Sequence, residues 1–266
     1  MAIGIDFTDP TSIGTGTTKT QLNDGNSVVL PSDARSILAI IPLIEVATST
    51  ADESVIAKVI IESNDNPVTP LEILLPPISG GDAAHAGNFI PTPVKIPVNI
   101  PVVPGSRIDV YGEALVANTV APLMGCGLVI GTAPPTGQQI HAQVSDLTAT
   151  GTTVDVDVSG GTLSVTSGSR LKELYGVVVP AVLATGDGIL GYLKYVSSGL
   201  TPPLPLKIPF TPFKAGLGAA AETLCDAPLR CPVDVAIKVP ATINVYGHFA
   251  DLPAAAGNFA TCAMYV

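Results

Sequence analysis

Between Thr92 and Gly105 the chain reads TPVKIPVNIPVVPG, with apolar Val94, Ile96, Val98, Ile100 and Val102 alternating with Pro93, Lys95, Pro97, Asn99 and Pro101. A period of two predicts one extended strand with a buried face. Residues i and i+2 aim their backbone N–H groups to the same lateral side, so each proline deletes a donor from one and the same edge. That places the segment at the edge of a sheet, where proline also blocks pairing with another chain.

The first half of the chain holds about eight apolar or alternating segments, at 17–22, 26–31, 36–46, 53–63, 70–76, 89–103, 106–117 and 121–131. Turn clusters such as NDGN, PSDA, SNDNP and SGGD separate them. Helix has little foothold, because 25 prolines and 26 glycines recur throughout and β-branched residues fill the segments between. Short helices are expected at most in AAHAGN and GLGAAAETL.

The pattern recurs. APLRCPVDVAIKVP, from Ala227, matches the opening stretch at an offset of 135 residues, aligning Pro93 with Pro228, Lys95 with Arg230, Pro97 with Pro232 and Asn99 with Asp234. The apolar face returns as Leu229, Cys231, Val233, Val235 and Ile237. The same offset pairs Ile5 with Ile140, Gly16 with Gly151, Thr17 with Thr152, Gly25 with Gly160 and Arg35 with Arg170, and lays IDVYG, ending at Gly112, on INVYG, ending at Gly247. One residue of slippage sets Cys126 against Cys262. An internal duplication is expected, with like domains over 1–134 and 135–266 joined near TAPPTGQQ.

Eight strands per copy is the count of a jelly roll, whose sheets run B-I-D-G and C-H-E-F. Assigned in chain order from 17–22 as B, segment 89–103 becomes G and 70–76 becomes F, both at sheet edges. The second-copy F segment, LPLKIPFTPF, again sets Pro205 and Pro209 in one phase. The segments assigned to D, E, H and I contain a single interior proline, Pro42. Prolines at the edges and not at the centre suit this topology. An immunoglobulin-type sandwich suits it less, since the chain has no Trp. The expected fold is all-β: two tandem eight-stranded antiparallel β-sandwiches, or jelly rolls.

Composition narrows the function. With 266 residues and 47 % hydrophobic side chains the chain can fill a large core, while 12 basic against 22 acidic residues give a net charge of −10. Direct nucleic-acid binding is not expected, because phosphate contact needs a surplus of Lys and Arg on one face. The start, MAIGIDFTDPTS, lacks the pattern of a secretory signal, and no long apolar run offers a helical membrane span, so synthesis in the cytosol or an already mature chain is expected. Cys126, Cys225, Cys231 and Cys262 are too few and dispersed for a disulfide framework and are expected as buried thiols, although Cys225 and Cys231 flank LCDAPLRC and would close a small loop on oxidation.

Candidate chemistry is sparse. His85, His141 and His248 have no companions at metal-ligand spacing, and neither a Gly-x-Ser-x-Gly elbow nor a phosphate-binding GxxxxGK occurs. Asp155 and Asp157 share one face of a strand, as calcium ligands or a solvated face would. Arg35 and Arg170 each begin a strand after a polar turn, placed to stay solvent-facing or to pair with a carboxylate across a domain or subunit interface. Tyr111 and Tyr246 are expected to pack in the inward or sheet-lining part of strand H, with the hydroxyl bonded at the rim. No catalytic, cofactor or metal site and no enzyme activity are expected.

Two fused eight-stranded β-sandwiches resemble the double-jelly-roll major capsid proteins of membrane-containing icosahedral viruses of bacteria and archaea. The resemblance spans the whole chain and rests on architecture and duplication. It implies a virion protein made in the host cytoplasm, whose rolls stand side by side and whose trimers, six-fold-like in outline, tile a shell with other capsid proteins, apposed to an internal membrane. Two readings compete with it: a carbohydrate- or surface-binding sandwich, disfavoured by the 5 % aromatic content, and a virion decoration, spike or filament-forming surface protein.

Overall fold

A computed structural model describes residues 2–45, 53–55, 57–66, 70–75, 78–80, 95–115, 121–136, 141–149, 156–157, 163–165, 170–180, 188–201, 205–214, 229–251 and 257–265. The first half carries β1 (Ala2–Phe7), β2 (Thr11–Ser12), β3 (Thr20–Gln21), β4 (Val28–Val29), β5 (Ser36–Glu45), β6 (Glu53–Val55), β7 (Ala57–Glu62), β8 (Leu71–Leu74), β9 (Ile78–Gly80), β10 (Ile96–Pro101), β11 (Arg107–Ala114) and β12 (Leu123–Gly131). The second carries β13 (His141–Ala149), β14 (Val156–Asp157), β15 (Leu163–Val165), β16 (Arg170–Pro180), β17 (Gly188–Val196), β18 (Leu200–Thr201), β19 (Leu206–Lys214), β20 (Leu229–Ile237), β21 (Ala241–Asp251) and β22 (Gly257–Tyr265). The one helical element among the described residues is a 3-10 turn, Asn23–Gly25. AAHAGN and GLGAAAETL lie outside them.

Strand order makes each half a jelly roll. The first half pairs β1-β12-β5-β10 in one sheet and β3-β11-β7-β8 in the other, with β4 beside β11 and β2 beside β12. These are the B-I-D-G and C-H-E-F orders. The second half repeats them as β13-β22-β16-β20 and β14-β21-β17-β19, with β15 beside β21. All the ladders are antiparallel. Two apolar cores fill the sandwiches, one from Ile13 to Ile130 with Val144 added, the other from Leu163 to Val245.

Strand B is not 17–22. It is Ala2–Phe7, which pairs with β12, while Thr20–Gln21 and Val28–Val29 both pair with β11 and together form strand C. Ile3, Ile5 and Phe7 do carry a period-two signal, but three positions at the chain start are too short a run to stand out.

The edge assignment from prolines holds for β10. Ile96, Val98, Ile100 and Val102 are buried, Pro97 is exposed, and the strand pairs only with β5 among the described residues. β20 also pairs with β16 and, at Ala236 and Ile237 beyond its proline, Pro232, takes a two-residue partner in β18. Pro42 is tolerated in the interior strand β5 because the described pairs with β10 end at Ile40, so that past this point β5 bonds to β12.

Both G strands bulge at one place. Register slips between Pro97 and Ile100 against β5, and between Pro232 and Val235 against β16. Asn99 (φ 51°) and Asp234 (φ 44°) supply the left-handed residue there. Asn and Asp visit that region at least cost after glycine, which accounts for an Asx residue at both places. Asn99→Val is expected to lower stability by about 1–2 kcal/mol and Asn99→Gly to leave it within about 0.5 kcal/mol, both read by thermal unfolding. Equal melting of the two variants would refute this account of the bulge.

Register also corrects three residue matches. The residues after the bulges, Ile100 and Val235, pair with Ile37 and Leu171, so strand D is displaced by one and Arg170 stands where Ser36 does, not Arg35. Cys126 lies opposite Pro42, and its counterpart is Thr261 opposite Gly176; Cys262 corresponds to Gly127. Ile5, opposite Val129, corresponds to Ala142, opposite Met264. Turns of unequal length absorb these shifts, because only the pairing of strands, not the count along the chain, decides which side chains share a face.

Candidate interaction faces

The sequence-level candidates do not converge. His85, Asp155 and Cys225 lie outside the described residues, and His141 opens β13. His248 stacks on Tyr192, its cross-strand neighbour, with ring centroids 4.8 Å apart and planes 2° from parallel. Asp157 sits opposite Tyr246. No group of three His, Cys, Asp or Glu side chains is arranged around a common point among the described residues. Cys126 and Cys231 are free thiols; burial pushes Cys126 up to about 12, against a backbone hydrogen bond from Ile41 that lowers it, so Cys126 behaves as an inert core residue.

Arg35 and Arg170 differ. The Arg35 guanidinium donates to the carbonyls of Ala34 (2.9 Å) and Ser32 (3.4 Å), tying its own turn. Arg170 does pair with a carboxylate, but within its own sheet: Nε lies 2.8 Å from Asp234 Oδ1, and Lys172 Nζ lies 2.7 Å from the same oxygen. Hydrogen bonds from Arg170 and Lys172 hold the Asp234 carboxyl down at about 2. The lowered value favours the folded state above the usual 3.8, and that contribution disappears as pH falls through about 2. An NMR titration of Asp234 is expected to give a midpoint near 2, moving upward in Arg170→Gln; an unmoved midpoint would refute the pairing.

Tyr111 and Tyr246 face outward, because the alternate positions, Val110 and Gly112 in β11 and Val245 and Gly247 in β21, point into the cores. Lys19 Nζ lies 4.0 Å from the Tyr111 ring centre and 2.6 Å from Glu62 Oε1. Partial burial, then the charge of Asp109, raises the Tyr111 hydroxyl.

The outer face of the first C-H-E-F sheet is buried around Lys58. Lys58 is only 7 % exposed, with Nζ 3.5 Å from Glu72 Oε2 and 3.5 Å from Glu113 Oε2. Ile60 beside it is 3 % exposed. β13 of the second half lies against β8 at this face: Val144 joins the first core, and its N–H donates to Glu72 Oε2 at 3.0 Å. This triad was not singled out from sequence, although Lys58 in VIAKVII, Glu72 in LEILL and Glu113 in YGEAL are each a lone charge in an apolar segment. Three such charges in strands that become neighbours are the signal.

Two other outer faces are open among the described residues. On the second C-H-E-F sheet, Tyr192, Lys194, Tyr246 and His248 are half-buried and Lys207 is exposed; Lys207 Nζ lies 4.6 Å from the Tyr192 ring centre and Lys194 Nζ 5.6 Å from that of Tyr246. On the first B-I-D-G sheet, Ile5 and Phe7 are each 50 % exposed, beside half-buried Ile41 and Leu43. The Phe7 ring lies across Gly127, where an added Cβ would meet it at 2.7 Å.

No protein-family model matches the chain, and no curated protein matches it. Among solved structures it is similar to the STIV major capsid protein, at 9 % identity and a TM-score of 0.45, over 98 % of this chain and 96 % of that one. A tandem CBM22-1–CBM22-2 domain of Xyn10C from Paenibacillus barcinonensis is similar at 12 % identity and a TM-score of 0.26, over 100 % and 93 % of the two chains. The Macrobrachium rosenbergii nodavirus structure is similar at 12 % identity and a TM-score of 0.17, over 100 % and 91 %.

Proposed function

We propose that this chain is a structural virion protein, a major capsid protein whose two jelly rolls, 1–134 and 135–266, arose by duplication and whose trimers build an icosahedral shell. One observation carries the reading: two sandwiches of one strand order meet inside the chain, β13 of the second lying against β8 of the first, with Val144 packed into the first core and its N–H donating to Glu72. Two such units joined in this way leave unlike sheet faces uncovered by described elements and are suited to association with further copies. The shared strand order and the Asx residue at both G-strand bulges support duplication. In this role the protein contacts itself and other capsid proteins, lies against an internal membrane, and with a net charge of −10 leaves the genome to other components.

Cryo-electron microscopy of the concentrated protein, processed without imposed symmetry, tests the reading. Trimers of hexagonal outline, or shells and sheets of them, are the expected result; a stable monomer at high micromolar concentration would overturn it.

A second reading, a carbohydrate- or surface-binding module, is favoured by the stacked Tyr192 and His248 beside Tyr246 on one sheet face. Saturable glycan binding that is lost in Tyr192→Ala would support it over the first.

A further inference from the structure

The interface inside the chain can be matched, strand by strand, to the two open faces. Counting three residues back from Ile130 and Tyr265, which pair with Ile37 and Leu171, reaches Gly127 and Cys262. Their strand B partners are Phe7 and Val144, so these two residues hold the same place in their rolls. In the other sheet, Tyr111–Ile60–Glu72 is one row of cross-strand neighbours and Tyr246–Lys194–Lys207 is its counterpart.

Matched residues differ in exposure according to whether a roll lies next to them. Val144 is 6 % exposed because it packs into the first roll's core, and Ile60, the cross-strand neighbour of the Glu72 that accepts the Val144 N–H, is 3 % exposed. Phe7, in the place of Val144, is 50 % exposed, and Lys194, in the place of Ile60, is half-buried. The chain thus contains one completed pairing of a B-I-D-G face with a C-H-E-F face and carries one further face of each kind.

We infer that the outer B-I-D-G face of the first roll, built on Ile5, Phe7, Ile41 and Leu43, docks on the outer C-H-E-F face of the second roll of another copy, built on Tyr192, Lys194, Lys207 and Tyr246. The inference rests on the self-association proposed above and names the surfaces that make it. Phe7 takes the place of Val144, over Lys207 and Lys194. Where Glu72 accepts a backbone N–H inside the chain, Lys207 presents an ammonium between copies, and the face of the Phe7 ring receives it. The lysine stems and the Tyr192 and Tyr246 rings supply apolar area for Ile5 and Leu43. Such a contact joins unlike faces, so it propagates head to tail and closes into a ring when the rotation per chain divides a full turn.

Sedimentation velocity of the full chain over a concentration series is the test, with Phe7→Glu and Lys207→Glu as variants on opposite faces and thermal unfolding to check the fold. Each is expected to raise the concentration for half-association at least about tenfold. A mixture of Phe7→Cys and Lys207→Cys chains, oxidised and digested, is expected to yield a linked peptide joining positions 7 and 207. If the wild type associates, both Glu variants associate equally well and no such peptide forms, the assignment of faces is overturned while self-association stands. If the wild type stays monomeric at high micromolar concentration and no linked peptide forms, the reading beneath the inference fails and takes it along.

Discussion

Lys58→Met is expected to lower stability by about 3 kcal/mol in urea unfolding at neutral pH, the low end for breaking a buried ion pair because the partner carboxylates keep some solvent. Lys58 is almost wholly buried and lies 3.5 Å from both Glu72 and Glu113, whose side chains are 21 % and 16 % exposed. Without the ammonium, two carboxylates face each other beneath β13, and Glu72 keeps the Val144 N–H as its hydrogen-bond donor. Neutralising all three groups tests the cause. Lys58→Met combined with Glu72→Gln and Glu113→Gln is expected to recover most of the loss, since the amide oxygen introduced by Glu72→Gln still accepts the Val144 N–H and no net charge stays buried. A Lys58→Met protein within about 0.5 kcal/mol of wild type would show that the triad is solvated and that the rolls do not close over it.

Gly112→Ala is the second large effect. A Cβ there would come within 2.5 Å of Met124 Sδ, 2.8 Å of Ile13 Cγ2 and 3.3 Å of Leu22 Cδ2. Met124 can bend away, but Ile13 is β-branched and fully buried, so overpacking is expected to cost about 1–3 kcal/mol. Ile13→Ala, which removes the Cγ2 that the new methyl meets, should cost less in the Gly112→Ala chain than in the wild type, read as the melting temperature of the double variant against each single one. Additive losses would refute the steric account. The Tyr-Gly pair common to both H strands then has a packing explanation: the tyrosine lies outside the sandwich and the glycine leaves room inside it.

Much of the fold was legible because a strand writes its two faces into alternate residues. The even-numbered apolar face of 96–102 and the proline-bearing edge followed from local alternation and from where proline is tolerated, while the sheet orders came with the jelly-roll scheme that the strand count suggested. Strand B was misplaced because its signal, Ile3, Ile5 and Phe7, is short, and Thr20–Gln21 looked like a separate strand although it continues strand C. The sequence leaves Tyr111 and Tyr246 inward or sheet-lining; the phase set by Val110 and Gly112 places them on the outer face of the sheet.

The amino-acid sequence by itself determined that the chain is all-β, that two stretches 135 residues apart share one pattern, and that the proline-bearing stretch 96–101 stands at a sheet edge. Those properties are local, since they depend on backbone donors, side-chain branching and period. Only the tertiary structure decided which residues share a face, because register is set by pairing across turns of unequal length, and it alone set Thr261, not Cys262, in the place of Cys126. It alone also gathered Lys58, Glu72 and Glu113 from three strands beneath β13, and left Phe7 exposed where Val144 is covered. Burial of a face depends on what packs against it from a distant part of the chain, and no local pattern of residues records that.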